Sequence, residues 1–170
     1  MLVFMGVSGS GKTTVAKIVA RRLNWQFQEG DALHPPSNIE KMRAGQPLTD
    51  ADRRRWLAAV AAWIEVRLDS GESGLITCSA LKRSYREVIS RRGSGVLFVF
   101  LTGARLIITP RLAARQAHFM PSSLLDSQFA ALEEPAPDEP HIRVDIRPAP
   151  DVIAQRILRQ LGLDWEGENR

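Results

Sequence analysis

The sequence contains a single cysteine, Cys78, so an intrachain disulfide is excluded. It contains no uncharged apolar stretch of the roughly 18 residues that a membrane-spanning helix needs. Its first residues also lack the basic segment and long apolar run that are typical of a signal peptide. These absences predict a protein that has no membrane segment and works in the cytoplasm.

What the sequence does contain is a phosphate-binding motif near its start. The pattern Gly-x-x-x-x-Gly-Lys-Ser/Thr is matched by Gly6, Val7, Ser8, Gly9, Ser10, Gly11, Lys12 and Thr13. An apolar run at residues 2–5 precedes this P-loop and a helical apolar pattern at residues 15–23 follows it. Glycines let backbone N–H groups converge on phosphate oxygens. We predict that Lys12 reaches the β- and γ-phosphates of ATP and that the Thr13 hydroxyl binds Mg²⁺.

Strand and helix patterns alternate along the chain, which is typical of a parallel sheet with helices on both faces. The predicted strands cover residues 2–5, 25–29, 74–78, 96–101 and 142–146. The predicted helices cover residues 12–24, 38–42, 50–70, 81–90, 104–114, 124–132 and 152–161. Pro110 lies inside one of them, so that helix is expected either to begin late, near Thr109, or to bend. The predicted fold class is α/β, with one P-loop domain and a five-stranded parallel sheet over residues 1–170.

Two segments are longer than a simple alternation of strands and helices requires. They cover about residues 33–70, after the second strand, and about residues 111–133, after the fourth. Both leave the sheet at the edge where the P-loop lies, because the carboxyl ends of parallel strands share one edge. We predict that the first segment is a substrate-binding lobe and the second a lid.

A small-molecule kinase needs a carboxylate near the attacking hydroxyl and cations around the transferred phosphate. Asp31 ends the second predicted strand, so it is our candidate to accept the hydroxyl proton or to help hold Mg²⁺. The third strand ends in Cys78 and Ser79 and offers no aspartate for the metal, which gives Asp31 more weight. Arg111 and Arg115 are four residues apart, so they share a helix face. They are predicted to close on the ATP phosphates, the alternative being a solvated basic face.

Three groups of residues, in order over nearly the whole chain, closely resemble the gluconokinase family. The first group is residues 29–35 (EGDALHP), 38–42 (NIEKM), 45–53 (GQPLTDADR) and 56–57 (WL). The second is residues 78–86 (CSALKRSYR). The third is residues 115–121 (RQAHFMP), 124–129 (LLDSQF) and 132–133 (LE). Each block alone is moderately specific, whereas their ordered combination is highly specific.

The resemblance implies the P-loop kinase fold shared with shikimate and nucleoside monophosphate kinases. It implies transfer of phosphate from ATP, with Mg²⁺, to the 6-hydroxyl of D-gluconate. By the same resemblance, substrate-binding residues are Asp31, His34, Arg53, Lys82 and Arg86, together with His118 and Gln128 in the lid. An arginine such as Arg53 or Arg86 is suited to grip the gluconate carboxylate through two hydrogen bonds.

Alternatives to these assignments remain at the sequence level. His34 could instead be a turn residue bonded to backbone, and His118 could be structural. A shikimate kinase is expected to carry three glycines after the third strand, where this chain has residues 79–82 (SALK). The chain also departs from the gluconokinase pattern at Glu29, Arg55 and Ala117, where Asp, Pro and Gly are usual or frequent.

The basic isoelectric point, about 9.8, leaves a different class of protein to consider. A P-loop module that binds nucleic acid and uses ATP as a switch would explain it. However, the arginine clusters at residues 21–22, 53–55 and 91–92 are scattered and alternate with acids. We therefore predict a small-molecule substrate and no nucleic-acid partner, and leave a homodimer open.

Overall fold

The computed structural model describes residues 1–113 and 124–163. Their elements follow in the order β1 (Leu2–Met5), α1 (Lys12–Leu23), β2 (Gln26–Gln28), a 3₁₀ helix (Gly30–Leu33), α2 (Pro36–Arg43), α3 (Asp50–Asp69), β3 (Gly74–Thr77), α4 (Arg83–Ile89), β4 (Leu97–Thr102), α5 (Arg105–Ala113), α6 (Leu125–Ala131), β5 (His141–Asp145) and α7 (Pro150–Gln160). This order confirms the predicted alternation, whereas the 3₁₀ helix was not predicted. Among the residues described, no helix is both long enough and apolar enough to cross a membrane.

The strands form one parallel sheet in the order β2-β3-β1-β4-β5. In its register, Phe4 of β1 lies beside Thr77 of β3 on one side and Val99 of β4 on the other. The predicted five-stranded parallel sheet is therefore confirmed. Because all strands run the same way, the segments that follow β1, β2 and β3 meet at one edge of the sheet.

Both faces of the sheet are buried, and β1 shows how. Leu2 and Phe4 belong to a core cluster that includes apolar residues of α1 and α7. Val3 and Met5, which alternate with them, belong to a second cluster that includes residues of α3 and α4. The exposed fraction of each of these four side chains is 4% or less. The sheet is thus a rigid layer between helices, which holds the loops at its carboxyl edge in place.

The predicted substrate lobe begins with α2 and continues into α3, whose N-terminus is firmly capped. The Thr49 hydroxyl accepts a hydrogen bond from the Asp52 backbone N–H, and the Asp52 carboxylate accepts one from the Thr49 N–H. Lys41 of α2 forms an ion pair with Asp52 at 2.6 Å. These bonds fix α2 against the start of α3.

Pro110 does not delay the helix in which it lies. Helix α5 begins at Arg105 and continues through Pro110 to Ala113, so the first of the two predicted alternatives, a late start near Thr109, was wrong. Ile108 and Leu112 of α5 are buried in the same core cluster as Leu125 of α6. Packing of this apolar face offsets the backbone hydrogen bond that proline cannot make. The second half of the predicted lid is therefore anchored to the body of the protein.

Candidate active site

The P-loop after β1 has the shape of an anion cradle. Gly6, Gly9 and Gly11 all have positive φ angles, of 134°, 80° and 90°. At Gly6 a Cβ atom would lie 2.6 Å from the carbonyl oxygen of Leu101, so only glycine fits there. The loop leads directly into the N-terminus of α1, whose first N–H groups have no partners within the helix. The donors present are those that phosphate oxygens require.

Lys12 lies over this loop. Its Nζ donates hydrogen bonds to the carbonyl oxygens of Gly6 and Val7, both at 3.0 Å. From the other side, Gln128 of α6 is buried and its Oε1 accepts a hydrogen bond of 2.7 Å from the Ser8 backbone N–H. The predicted contact of Gln128 therefore includes the P-loop itself.

Asp31 is positioned by its neighbour Gly30. The Gly30 N–H donates to the Thr77 hydroxyl oxygen at 3.1 Å, and the Trp56 indole N–H donates to the Gly30 carbonyl at 2.8 Å. A Cβ atom on Gly30 would lie 1.8 Å from the Thr77 carbonyl oxygen, so only glycine lets this segment pack so closely against the end of β3. Glu29 accepts a hydrogen bond from the Thr77 hydroxyl. The 3₁₀ helix that carries Asp31 is thus tied to the end of β3.

A cleft opens where these elements meet. Its lining comes from the P-loop and the first residue of α1, the 3₁₀ helix and the residue after it, α2, the loop before α3, the start of α3, the loop after β3, and α6 with the residue before it. The lining residues are Ser8, Lys12, Asp31, His34, Met42, Pro47, Leu48, Arg53, Ser79, Leu124, Ser127 and Gln128. Six of the residues predicted from the sequence line it together: Ser8, Lys12, Asp31, His34, Arg53 and Gln128. A carboxylate and two cationic groups therefore face a single small-molecule site beside the P-loop.

The comparisons with known proteins agree with this geometry. A protein-family model described as an AAA domain matches residues 1–135. A gluconokinase from Gluconobacter oxydans is 53% identical over 158 residues, which cover 93% of this chain and 89% of that relative. The chain belongs to the gluconokinase family. Use of ATP follows from membership of this P-loop kinase family.

Solved structures that are similar in both fold and sequence support membership of the gluconokinase family. A sugar kinase from a Janibacter species superposes with a TM-score of 0.90 at 48% identity, covering 95% of this chain and 94% of that one. A gluconokinase from Sinorhizobium meliloti superposes with a TM-score of 0.84 at 45% identity, covering 95% and 90%. The resemblance stated from the ordered sequence blocks is thereby confirmed.

Two residues that the gluconokinase resemblance assigned to substrate lie outside the lining of the cleft. Arg86 is buried, its Nε and Nη2 donate to the Glu139 carboxylate at 2.5 and 2.9 Å, and its Nη1 donates to backbone carbonyls that include Ala80. This position fits a structural role, joining α4 to the loop before β5, and does not fit the predicted substrate contact. Lys82 donates to both carboxylate oxygens of Asp50 at 2.9 and 3.0 Å.

Arg111 lines a second cleft that also borders the P-loop, together with Gly9, Gly11, Thr14 and Pro150. Its Nη2 donates to the Ile146 carbonyl oxygen at 3.1 Å. Arg111 therefore lies near the P-loop, and its closure on the ATP phosphates stays a prediction. Arg115 and His118 lie outside the described residues.

A magnesium ion would find few protein ligands near this P-loop. Within residues 1–113 and 124–163, no group of three or more His, Cys, Asp and Glu side chains could hold a metal ion. Thr13, at the second position of α1, is partly buried beside the loop. This donor set fits Mg²⁺, which usually binds through one or two protein groups plus phosphates and water.

Three residues of the site were missed or undervalued from the sequence. Trp56 was given no role beyond its place in a family block, but its indole N–H donates to the Gly30 carbonyl and its ring stacks on the His34 ring, with centroids 4.1 Å apart. Ser79 lines the cleft, and its carbonyl accepts a hydrogen bond from the Gly6 N–H at 3.2 Å. Asn38 contacts His34 and received no role. The motif blocks contained all three, but nothing in their spacing shows which side chains face the cleft.

Proposed function

We propose that the protein transfers the γ-phosphoryl group of ATP to the 6-hydroxyl of D-gluconate, which yields 6-phospho-D-gluconate and ADP. The observation that carries this proposal is the single cleft in which Lys12, Asp31 and Arg53 meet. Gluconate has a carboxylate at one end and the reacting hydroxyl at the other. The cleft offers a guanidinium for the first and a carboxylate beside the P-loop for the second. Family membership supports the same substrate.

On the donor side, the P-loop N–H groups and Lys12 hold the ATP phosphates, and the cleft lined by Arg111 and Pro150 takes the base. Arg115, which follows on the same predicted face, closes on the phosphates. Thr13 and Asp31 are the residues that would hold Mg²⁺, which supplies positive charge against the phosphate oxygens. His118 stays a prediction as a lid contact, and the lobe and lid bounds stay predictions with it.

On the acceptor side, Asp31 accepts the proton of the attacking hydroxyl or orders the Mg²⁺ shell. The apolar lining residues Met42, Leu48 and Leu124 form one small core cluster between the lobe and α6. They cover the cleft and help to keep out water, which competes with the sugar acid as acceptor.

We also propose a cytoplasmic location, supported by the free thiol of Cys78, the chain's single cysteine. A homodimer stays a prediction.

The Arg53 guanidinium is the proposed partner of the gluconate carboxylate. It is partly buried at the cleft, and its Nη2 donates to the Leu48 carbonyl at 3.4 Å. Arg53→Met is expected to raise KM for gluconate by on the order of 10- to 100-fold, because a charge-assisted bidentate contact is lost. KM for ATP should hardly change. Steady-state kinetics with each substrate varied in turn measure both constants.

The matched control is Arg54→Met, one residue further along α3, where the side chain is exposed. Arg53→Lys adds a second comparison, because it keeps the charge but loses the planar fork. The KM of Arg53→Lys for gluconate should fall between that of the wild type and that of Arg53→Met. An Arg53→Met enzyme whose KM for gluconate matches that of Arg54→Met would refute the assignment of the carboxylate site.

A further inference from the structure

The His34 side chain contacts two buried residues and borders the cleft. Its ring is buried and stacks on Trp56 with an interplanar angle of 16°. Its Nδ1 lies 3.3 Å from Nδ2 of Asn38, which is itself buried. The residue also lines the cleft beside Asp31 and Arg53. One edge of the ring therefore faces Asn38 inside the protein, while another part borders the site.

The amide of Asn38 has a single reasonable orientation. Its Nδ2 donates a hydrogen bond of 2.9 Å to the backbone carbonyl of Asp52. In a flipped amide, Oδ1 of Asn38 would face the carbonyl oxygen of Asp52, and neither oxygen could donate a hydrogen bond to the other. Asp52 is in turn fixed by the capping box of α3 and by Lys41. The atom of Asn38 that faces His34 is therefore the amide nitrogen, which is a hydrogen-bond donor.

This orientation determines where the His34 ring carries its proton. An amide NH₂ can only donate, so Nδ1 of His34 must accept. A neutral imidazole that accepts at Nδ1 carries its hydrogen on Nε2. Burial, together with the nearby Arg53 guanidinium, lowers the pKa of His34 to about 4, so the ring is neutral near pH 7.

We propose that Asn38 is a positioning residue, which holds His34 in the Nε2–H form so that it donates a hydrogen bond to a hydroxyl oxygen of the acceptor. The proposal rests on the proposed function, because the acceptor in the cleft is taken to be the sugar acid. A fixed neutral donor selects an oxygen with a free lone pair. The same donor rejects an acceptor that carries an ammonium group or a methylene group in place of that hydroxyl.

The first test is the tautomer of the unmodified protein. The chain has three histidines, so ¹⁵N-histidine labelling and one His34→Gln spectrum assign the ring resonances of His34. Long-range ¹H–¹⁵N correlation near pH 7 should show Nε2 protonated and Nδ1 unprotonated. A protonated Nδ1 would overturn the proposal, and no variant needs to fold for this result beyond the one used for assignment.

The second test replaces Asn38 with a group that can only accept. In Asn38→Asp the oxygen that replaces Nδ2 can accept a hydrogen bond from Nδ1 of His34, so we expect the proton to move to Nδ1. Kinetics are measured at about pH 8.5, roughly two units above the usual histidine pKa, to keep the ring neutral beside the new carboxylate. KM for gluconate should rise on the order of 10-fold, with KM for ATP nearly unchanged.

The matched control is Ser37→Asp, which adds the same charge at an exposed position of α2. It should change neither the tautomer nor KM. An Asn38→Asp protein with an unchanged tautomer, or with a moved proton but the KM of Ser37→Asp, would overturn the proposal. If the wild type fails to phosphorylate gluconate, the proposed function fails instead, and the tautomer measurement shows separately whether Asn38 sets the proton.

Discussion

Lys12→Ala is expected to lower kcat for gluconate phosphorylation by on the order of 10²- to 10³-fold, the cost of removing one group that stabilises transition-state charge. In the structure the Lys12 ammonium lies within 3.0 Å of two P-loop carbonyls. It is thus already at the cradle where the γ-phosphate would arrive, and there it would exchange carbonyl partners for phosphate oxygens. Coupled detection of ADP at saturating substrates measures kcat.

The matched control for that change is Lys17→Ala. Lys17 lies on the same helix, is exposed, and has its ammonium 5.6 Å from the centre of the Phe27 ring, away from the P-loop. Its removal should leave kcat within about two-fold of the wild type. If Lys12→Ala retained near-normal turnover, the role assigned to the P-loop would be refuted.

Asp31→Asn keeps the shape of the side chain but removes its charge. We expect kcat to fall by on the order of 10²- to 10⁴-fold, with a smaller change in KM for gluconate, because the carboxylate acts mainly in the transition state. Gly30, Trp56 and Thr77 fix the segment that carries Asp31, so the asparagine should occupy the same place. Full kinetics with both substrates measure the two constants.

The Asp31 experiment also separates its two proposed roles. If the carboxylate is the general base, excess Mg²⁺ does not restore kcat; if it orders the Mg²⁺ shell, raising the Mg²⁺ concentration recovers part of it. Asp151→Asn is the control, since Asp151 is exposed and pairs with Arg22 at 3.4 Å. An Asp31→Asn enzyme that changes only KM would show that Asp31 merely positions the substrate.

Features set by neighbouring residues in the chain could be predicted from the sequence. The P-loop is a local pattern of glycines between a strand and a helix, and the structure shows that pattern in place. Thr49 stands just before α3, where threonine is a favoured N-cap residue, and it forms a capping box with Asp52. Strands β1, β3 and β4 followed from short apolar runs, because a buried parallel strand has few polar residues. Strands β2 and β5 followed from the alternation of polar and apolar residues.

Features set by partners far along the chain could not be predicted. Arg86 matched a family block, but its role is decided by Glu139, which lies 53 residues away. Lys82 likewise pairs with Asp50, 32 residues earlier. The start of α5 depends on how its apolar face packs, which the pattern around Pro110 does not reveal. Residue type indicates what a side chain can bind, whereas the fold decides which partner it meets.

Several surface arginines also pair with acids far along the chain, which is relevant to the alternative that the protein binds nucleic acid. Arg91 and Arg92 pair with Glu65 and Asp69 of α3, and Arg83 pairs with Asp138. Each of these three arginines lies beside an acid, as the alternating charges suggested. This arrangement supports the prediction that the basic isoelectric point does not reflect a nucleic-acid surface.

The most direct test of the account is a comparison of acceptors with purified protein, ATP and Mg²⁺. The panel contains D-gluconate, other sugar acids, shikimate, and glucitol, which lacks the carboxylate that Arg53 would bind. We predict that gluconate has the highest kcat/KM, and that ³¹P NMR shows a single product with phosphate on the 6-hydroxyl. Turnover of gluconate no better than that of shikimate, glucitol or the other sugar acids would contradict the account.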